Sequence, residues 1–308
     1  MKQKKGKSYN IKCRGDNMKM LFLGGDKRQL VVMNFFNNKD HEIDVVGYEQ
    51  EKLPSGVFNK KLKDLDVSIY DVIFFPVNGV KEDGEITAEF SGEKIILDND
   101  VLKNTKRDAL IFTGILNNKV KDILTISNRG AVVLMEDKVV TQENSIPTVE
   151  GIIGDLINNT EYTINDSNIL VFGYGNVGKP LVEKLEYLGA KVTVGVLSKS
   201  DYNALKEKKI KVFYTFDKKE MINNIKFNET IINTATSKVL DKEYLKYVSK
   251  NSYILDVASH PHGIDVDYAN ELGLNTKVWM GIPSAVAPKT AAKILTKKIN
   301  SIIGGDYT

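Results

Sequence analysis

The chain is poor in the residues that build covalent and metal-centred frameworks. Its 308 residues include one cysteine and three histidines. A single cysteine, Cys13, excludes an intramolecular disulfide and a cysteine metal cluster, as is usual in a reducing compartment. The histidines have no spacing that matches a metal-binding motif. We therefore expect a cytoplasmic protein without a metal site.

Long apolar runs and targeting signals are also missing. No run approaches the ~20 apolar residues that a membrane-spanning helix needs. The N-terminal residues lack the apolar centre of a signal peptide. The G-x-S-x-G elbow and the Walker loop are absent, which argues against serine hydrolases and P-loop enzymes. We expect no contact with a membrane.

Neither sign of charge is in large excess. The chain has 43 basic and 40 acidic residues, a net charge of +3. Residues 1–17 hold six of the basic residues and one acidic residue, so they carry +5; the other 37 basic and 39 acidic residues give −2. This balance argues against a dedicated nucleic-acid-binding protein. We interpret residues 1–17 as a disordered basic tail.

The length predicts two domains, and the apolar pattern predicts their class. After residue 17, short apolar runs alternate with helical segments, which is typical of a parallel sheet covered on both faces. The predicted strands of the first half are Met20–Leu23, Ile43–Tyr48, Val72–Val77, Lys94–Leu97 and Ala109–Phe112. The second half repeats the alternation from Asn168–Phe172 onward.

The predicted fold is α/β, with two Rossmann-like domains whose parallel sheets are joined by a long interdomain helix. The C-terminal helix is expected to return toward the first domain. We place an α/β substrate-side domain at 18–147, a nucleotide-binding domain at 148–290 and the returning helix at 291–308, with the substrate in a cleft between the domains.

The interdomain helix is predicted just after Pro147. Apolar residues recur at helical spacing over Val149–Asn158. Ser145 or Thr148 would cap this helix, with Pro147 in its first turn. There, Ser145 and Thr148 would also donate hydrogen bonds to a substrate anion, and Glu150 would orient a base. Capping alone is the alternative for these three residues.

A glycine-rich turn follows the strand that ends at Phe172. Its residues are Gly173, Tyr174, Gly175, Asn176, Val177 and Gly178. In a G-x-G-x-x-G turn between a strand and a helix, the first glycine allows the tight turn and the second lets the backbone approach a pyrophosphate. The third allows close packing of helix and strand. These residues predict a dinucleotide site; the alternative is a turn whose glycines serve packing alone.

The end of the next predicted strand, Lys191–Val196, favours NADP over NAD. Enzymes that prefer NAD usually carry an acidic residue here for the ribose 2′-hydroxyl. No acidic residue precedes Asp201; the positions are Ser198, Lys199 and Ser200. These side chains suit a 2′-phosphate, unless Lys199 is simply a solvated surface charge. Asn233, Thr234 and Ala235 follow another strand, and either contact the cofactor or form an ordinary polar turn.

Three further residues are candidates for work on a substrate. Arg28 begins a helix after Gly24-Gly25-Asp26 and suits a substrate carboxylate, unless it is a surface arginine. His260 follows a strand in the second half, and Lys289 begins the last helix, predicted over Pro288–Ile303. A histidine or lysine beside a nicotinamide can move the proton that accompanies hydride transfer. His260 and Lys289 are therefore the candidate catalytic residues.

Four segments carry a resemblance to a known family. GGDKRQL (24–30), NSIPTVEG (144–151), GYGNVG (173–178) and AVAPKTAAKIL (285–295) occur in this order. Together they resemble the A subunit of bacterial dipicolinate synthase, over residues 18–303. The resemblance implies an NADP-linked dehydrogenase in the cytoplasm of the mother cell of a sporulating bacterium. It also implies an oligomer in which a B subunit is the partner.

The expected reaction, implied by that resemblance, is oxidation of dihydrodipicolinate or its hydroxylated precursor to dipicolinate by NADP⁺. Two alternatives remain open. The first is an NADP-linked oxidoreductase for another carboxylated imine or 2-oxo acid. The second is a cofactor-binding partner subunit that is inactive without the B subunit.

The second half is more distantly similar to the cofactor domain of D-2-hydroxyacid dehydrogenases. That superfamily has a Pro-His pair near the final helix, where this chain has Pro288-Lys289. It often has an arginine after the fifth strand, where this chain offers His260. Both departures argue against oxidation of a 2-hydroxy acid.

Overall fold

The computed structural model describes residues 17–259 and 262–304. The chain divides into two units: Asn144–Val286 form the second, and the described residues on either side of that range form the first. The predicted basic tail, apart from Asn17, and His260 lie outside the described residues.

The first unit is built on a six-stranded sheet in which every pairing is parallel. Its strands are β1 (Lys19–Leu23), β2 (Glu42–Val46), β3 (Val57–Asn59), β4 (Val72–Phe74), β5 (Leu110–Thr113) and β6 (Val132–Val133). Their order across the sheet is β3-β2-β1-β4-β5-β6, the doubly wound order of a Rossmann fold. The helices of this unit before the division are α1 (Lys27–Asn37) and α2 (Asn118–Ile126).

The second unit has the same strand order. Its sheet, also parallel, runs β12-β11-β10-β7-β8-β9. The strands are β7 (Asn168–Phe172), β8 (Lys191–Val196), β9 (Lys211–Tyr214), β10 (Thr230–Asn233), β11 (Tyr253–Asp256) and β12 (Asn275–Val278). The predicted α/β class, with two Rossmann-like sheets, is confirmed.

Helices cover both sheets and link the units. They are α3 (Lys138–Asn159), α4 (Gly178–Tyr187), α5 (Lys199–Glu207), α6 (Lys218–Ile225), α7 (Lys242–Leu245), α8 (Val266–Glu271), α9 (Ile282–Val286) and α10 (Pro288–Ile303). Within the described part of the chain, no helix combines the length and the apolar character needed to cross a membrane.

The last helix, α10, belongs to the first unit. Its buried face includes Leu295, Ile299 and Ile303, which join the core that contains Met33 and Phe36 of α1. Pro at the first helical position and Gly304 in a left-handed conformation after the last one mark its two ends. The prediction of a C-terminal helix that returns to the first domain is confirmed.

The interdomain helix is longer than predicted, and its start was placed wrongly. The Asp137 carboxylate accepts the backbone N–H of Val139 and of Val140, so the helix begins a full two turns before Pro147. Pro147 is therefore interior, with no N–H to donate to the carbonyl one turn earlier. The helix crosses the division between the units, as a connecting helix should.

One predicted strand is absent. The segment Lys94–Leu97 has no ladder; Ile96 forms only an isolated antiparallel bridge with Glu85. A nearby segment covers the turn after β1: the N–H of Gly25 donates to the carbonyl of Thr87 at 2.7 Å, and that of Glu89 donates to Gly25 at 2.9 Å. The chain itself thus fills the place beside the Gly24-Gly25 turn.

Candidate dinucleotide-binding site

A groove of about 350 Å³ lies at the carboxyl edge of the second sheet. Ligands of doubly wound sheets bind at this edge, where the strand order reverses. Here the reversal lies between β7 and β10, with β8 on the far side of β7. The groove is lined by Gly173, Tyr174, Gly175, Gly195, Val196, Leu197, Ser198, Asp201, Thr215, Thr234, Ala235, Thr236, Ser237 and Val239.

The three glycines of the predicted motif have three different surroundings. Gly173 has a φ of +93°, which favours glycine. A Cβ on Gly178 would lie 2.3 Å from the carbonyl oxygen of Gly173, so only glycine allows α4 to approach the turn this closely. A Cβ on Gly175 would meet nothing within 4 Å, because this residue faces open space in the groove. Gly175 thus leaves room for a phosphate group beside the backbone.

The other residues of the turn differ in exposure. Tyr174 is buried in the core of the second unit, and the ammonium group of Lys179 lies 5.6 Å from the centre of its ring. Val177 packs partly against the same core, whereas Asn176 is exposed. Of these predicted cofactor residues, Tyr174 borders the groove; Asn176 and Val177 do not.

The loop after β10 is fastened to the glycine turn. The hydroxyl of Thr234 donates to the carbonyl of Phe172 at 2.9 Å, as does the Thr234 backbone N–H. Thr234 and Ala235, two of the residues proposed from the sequence to contact a cofactor, border the groove. Asn233 is fully buried and does not: its amide donates to Ala235 and to Asp256, and its oxygen accepts the Ala235 N–H. It shapes the loop.

Asp256, the partner of Asn233, is a buried carboxylate held by neutral donors. One oxygen accepts from Asn233 Nδ2 at 2.9 Å and from the N–H of Ala258 at 2.9 Å. The other accepts the N–H of Gly263 at 3.0 Å. Because Gly263 in turn accepts from Val239, this one side chain ties the loop after β10 to the loop after β11. Sequence reasoning did not single it out.

The end of β8 places the predicted 2′-phosphate residues unequally. Ser198 caps α5 by accepting the N–H of Asp201 at 3.2 Å, and its hydroxyl lies 2.5 Å from that of Ser200. Ser198 borders the groove, but Lys199 and Ser200 do not, and both are exposed. Asp201, one turn into α5, borders the groove.

Arg28 is paired within the first unit. The guanidinium lies in a buried ion pair with Asp26, through Nε at 3.0 Å and Nη2 at 2.6 Å, and Nη2 also donates to Asn78 at 3.1 Å. Asp26 is itself the cap of α1. The predicted helix-terminal position is confirmed, but the protein already supplies a carboxylate to this arginine. A substrate carboxylate would have to use Nη1 or displace Asp26.

The expectation that Ser145, Thr148 and Glu150 lie at a helix start is wrong. All three are interior to α3, because the helix is capped at Asp137. The hydroxyl of Thr148 donates to the carbonyl of Asn144 at 2.8 Å, a common use of threonine inside helices. Ser145 is buried and Glu150 exposed. No helix-terminal N–H groups accompany them.

Lys289 lies in the first turn of α10, as predicted. Its side chain is exposed and makes no ion pair or hydrogen bond with any residue that the structure describes. The helix has no side-chain cap at this end. A cation at a helix N-terminus is unfavourable with respect to the helix dipole, so Lys289 does not serve helix stability.

Several groove residues were missed by sequence reasoning. Thr215 follows β9, and Thr236, Ser237 and Val239 follow β10. The available signal was their position just beyond apolar strands whose carboxyl ends share one edge. The prediction used that signal for β7, β8, β11 and the first residues after β10, but not for β9 or the rest of the loop after β10.

Comparison with known proteins identifies relatives along almost the whole chain. A family model for the N-terminal domain of the dipicolinate synthase A subunit matches residues 19–135. The A subunit of dipicolinate synthase from Bacillus subtilis (strain 168) is 32% identical over 287 residues, 93% of this chain and 96% of that protein. The match therefore spans both units.

Solved structures agree in fold. The A subunit of dipicolinate synthase from Bacillus halodurans superposes with a TM-score of 0.88 at 30% identity, covering 94% of this chain and 98% of that one. The corresponding structure from Bacillus subtilis gives 0.84 at 32% identity, covering 93% and 96%. A transhydrogenase from Sinorhizobium meliloti gives 0.62 at 11% identity over 92% and 94%, which is a likeness of fold alone.

Proposed function

This chain belongs to the family of dipicolinate synthase A subunits, and from that premise we propose that it oxidises a dihydropyridine dicarboxylate with a nicotinamide dinucleotide. The substrate proposed is dihydrodipicolinate or its hydroxylated precursor, the product dipicolinate, and the cofactor NADP⁺. We place this activity in the mother cell of a sporulating bacterium, together with a B subunit in an oligomer. Family membership and the dehydrogenase-like fold support an oxidoreductase.

The groove of the second unit supports the cofactor proposal. The observation that carries it is the contrast between Gly178, packed against Gly173, and Gly175, which faces open space. A glycine retained only for packing has neighbours where a Cβ would be, whereas Gly175 has none. The open side of Gly175 fits a pyrophosphate, held by backbone N–H groups at the start of α4.

Within this proposal the residues around the groove have separate tasks. Thr234 fixes the loop after β10 against the glycine turn, which keeps the groove open. Ser198, Lys199 and Ser200 are proposed to hold the 2′-phosphate, through two hydroxyls and one cation. When bound, the nicotinamide accepts a hydride from the substrate ring. The other product is a proton, and formation of an aromatic ring drives the step, so the protein mainly positions the reactants and excludes water.

For the substrate side, we propose Lys289 as a carboxylate anchor or as the group whose Nζ accepts the proton. Its exposure and lack of an ion pair in the described residues support that role. His260 is the other proposed base. Arg28 is proposed to contact a substrate carboxylate only through Nη1. Ser145, Thr148 and Glu150 remain proposed substrate contacts, although no helix N-terminus assists them.

The test is hydride transfer by the purified chain. Dihydrodipicolinate is generated in situ, and absorbance at 340 nm is followed with NADP⁺ and with NAD⁺. We expect reduced cofactor and dipicolinate in equal amounts, with NADP⁺ the better cofactor. Activity that is absent alone and restored by a B subunit would instead make this chain a cofactor-binding partner. Turnover of a different carboxylated imine or 2-oxo acid would identify that compound as the substrate in place of dihydrodipicolinate.

Removing the cation at the end of β8 should weaken NADP⁺ binding selectively. For Lys199→Gln we expect the KM for NADP⁺ to rise about fivefold, since an exposed ion pair with a phosphate contributes on the order of 1 kcal/mol. The KM for NAD⁺ should stay within about twofold. Steady-state kinetics with both cofactors measures this, with Lys208→Gln, beyond the other end of α5, as the matched control. Equal changes for both cofactors would remove Lys199 from the proposed 2′-phosphate site.

Lys289→Ala should separate anchoring from proton transfer. Loss of a carboxylate anchor raises the KM for the dicarboxylate by about tenfold with kcat little changed, while loss of a base lowers kcat. The KM for NADP⁺ should not change in either case. Lys293→Ala, on the next turn of α10, is the control. If turnover and substrate KM are both unaffected, Lys289 has no part in the reaction.

A further inference from the structure

An acidic residue borders the groove beside the residues proposed for the 2′-phosphate. Asp201 borders the groove, together with Ser198 from the same helix start and Thr215 from the end of β9. Its backbone N–H is taken by the cap Ser198 at 3.2 Å, so the backbone of this residue is fixed. Its side chain makes no ion pair with a described residue, so no neighbouring cation neutralises its charge.

The neighbouring donors are less available than the sequence suggested. The hydroxyls of Ser198 and Ser200 lie 2.5 Å apart and share a hydrogen bond. Lys199 is exposed and does not border the groove. The groove wall therefore presents one negative charge, and the cation of this helix start faces solvent.

A ribose 2′-hydroxyl and a 2′-phosphate respond to this wall in opposite ways. A hydroxyl donates a hydrogen bond to a carboxylate, whereas an ionised phosphate has only acceptors and a like charge. We infer that Asp201 is the residue that determines cofactor specificity: it accepts from the ribose hydroxyls and opposes the 2′-phosphate, so that the groove takes NAD⁺ as well as NADP⁺. This rests on the proposed function, in that the groove holds a dinucleotide.

Asp201 and Lys199 then act against each other. Substitution of the lysine lowers the preference for NADP⁺, and substitution of the aspartate raises it. For Asp201→Asn we expect NADP⁺ to bind about tenfold more tightly and NAD⁺ several-fold more weakly, because the like charge is gone and the ribose loses a charged acceptor. The asparagine keeps the size of the side chain and leaves the Ser198 cap in place.

The experiment is direct binding, without turnover. NAD⁺ and NADP⁺ are titrated by calorimetry into the wild-type chain, Asp201→Asn and Glu207→Gln. Glu207 lies at the other end of α5 and does not border the groove, so its substitution removes one charge of the same helix. The expected result is a Kd ratio, NAD⁺ over NADP⁺, that rises at least tenfold in Asp201→Asn and stays within twofold in Glu207→Gln.

Each other outcome overturns the inference. An unchanged ratio in Asp201→Asn shows that the carboxylate does not face the adenosine ribose, and an equal rise in Glu207→Gln shows a general charge effect. Absence of binding by the wild-type chain removes the dinucleotide site altogether. If the Kd ratios are as expected but no hydride transfer occurs, Asp201 still determines cofactor specificity and only the proposed reaction is rejected.

Discussion

Asp256→Ala should lower the free energy of unfolding of the second unit by about 2–4 kcal/mol. Three buried donors lose their acceptor: Asn233 Nδ2 and the N–H groups of Ala258 and Gly263. An unsatisfied buried donor costs about 1–3 kcal/mol, and relief from burying a carboxylate offsets part of the sum. The single tryptophan, Trp279, donates its backbone N–H to the Asp256 carbonyl and reports on this unit. Urea unfolding followed by its fluorescence measures the loss.

Asp217→Ala is the comparison variant. Asp217 caps α6 by accepting two N–H groups at the surface of the same unit, and loss of such a cap costs about 1 kcal/mol. The loss of stability for Asp256→Asn should lie between those for Asp256→Ala and Asp217→Ala. An asparagine keeps one acceptor oxygen, but its NH₂ group faces a backbone or side-chain N–H that also donates. A loss for Asp256→Ala no larger than that for Asp217→Ala would contradict the structural role of this carboxylate.

Gly175→Val should weaken dinucleotide binding about 100-fold without affecting the fold. No atom lies within 4 Å of a Cβ at this position, so the chain accommodates the side chain. The space it fills is the one proposed for the pyrophosphate, and exclusion of the backbone contact should weaken NADP⁺ binding about 100-fold, equivalent to about 2.7 kcal/mol. Calorimetric titration of NADP⁺ measures binding, and urea unfolding should show a midpoint close to that of the wild type.

Gly178→Ala, in contrast to Gly175→Val, should lower the stability of the fold. Its Cβ would lie 2.3 Å from a backbone oxygen of Gly173, so the helix and the turn must separate, at a cost of about 1–3 kcal/mol in stability. If Gly175→Val binds NADP⁺ normally, the groove is not a pyrophosphate site. If Gly178→Ala is as stable as the wild type, the close approach of α4 is not needed.

The alternation of apolar strands with helices was enough to predict the two parallel sheets. Strands buried on both faces, such as β4 and all but the first residue of β7, are continuous apolar runs, and this pattern does not depend on distant contacts. The glycine turn could also be predicted, because its three glycines lie within six residues between a strand and a helix. The last helix was predicted with its observed ends, because Pro288 and Gly304 mark them in the sequence.

Features in which the chain supplies its own partner or an earlier helix cap escaped prediction. Asn233 reads as a groove residue in the sequence, yet its amide is used by Asp256 on the next strand. Arg28 reads as a ligand for a carboxylate, and the protein provides that carboxylate from Asp26. Pro147 is a helix-start signal that the earlier cap Asp137 overrides. Asn233 and Arg28 have the expected chemistry, but the chain itself is the partner.

The return of α10 to the first unit sets an order on folding during synthesis. The second unit is one continuous segment, Asn144–Val286, and all of it is made before α10 leaves the ribosome. The first unit lacks Leu295, Ile299 and Ile303 of its core until the end of translation. The unit that begins the chain is therefore the last to be completed, and until then the face of α1 that packs against α10 is uncovered. A chain that stops before Ala287 would keep the complete glycine turn and groove but expose that face, and aggregate through it.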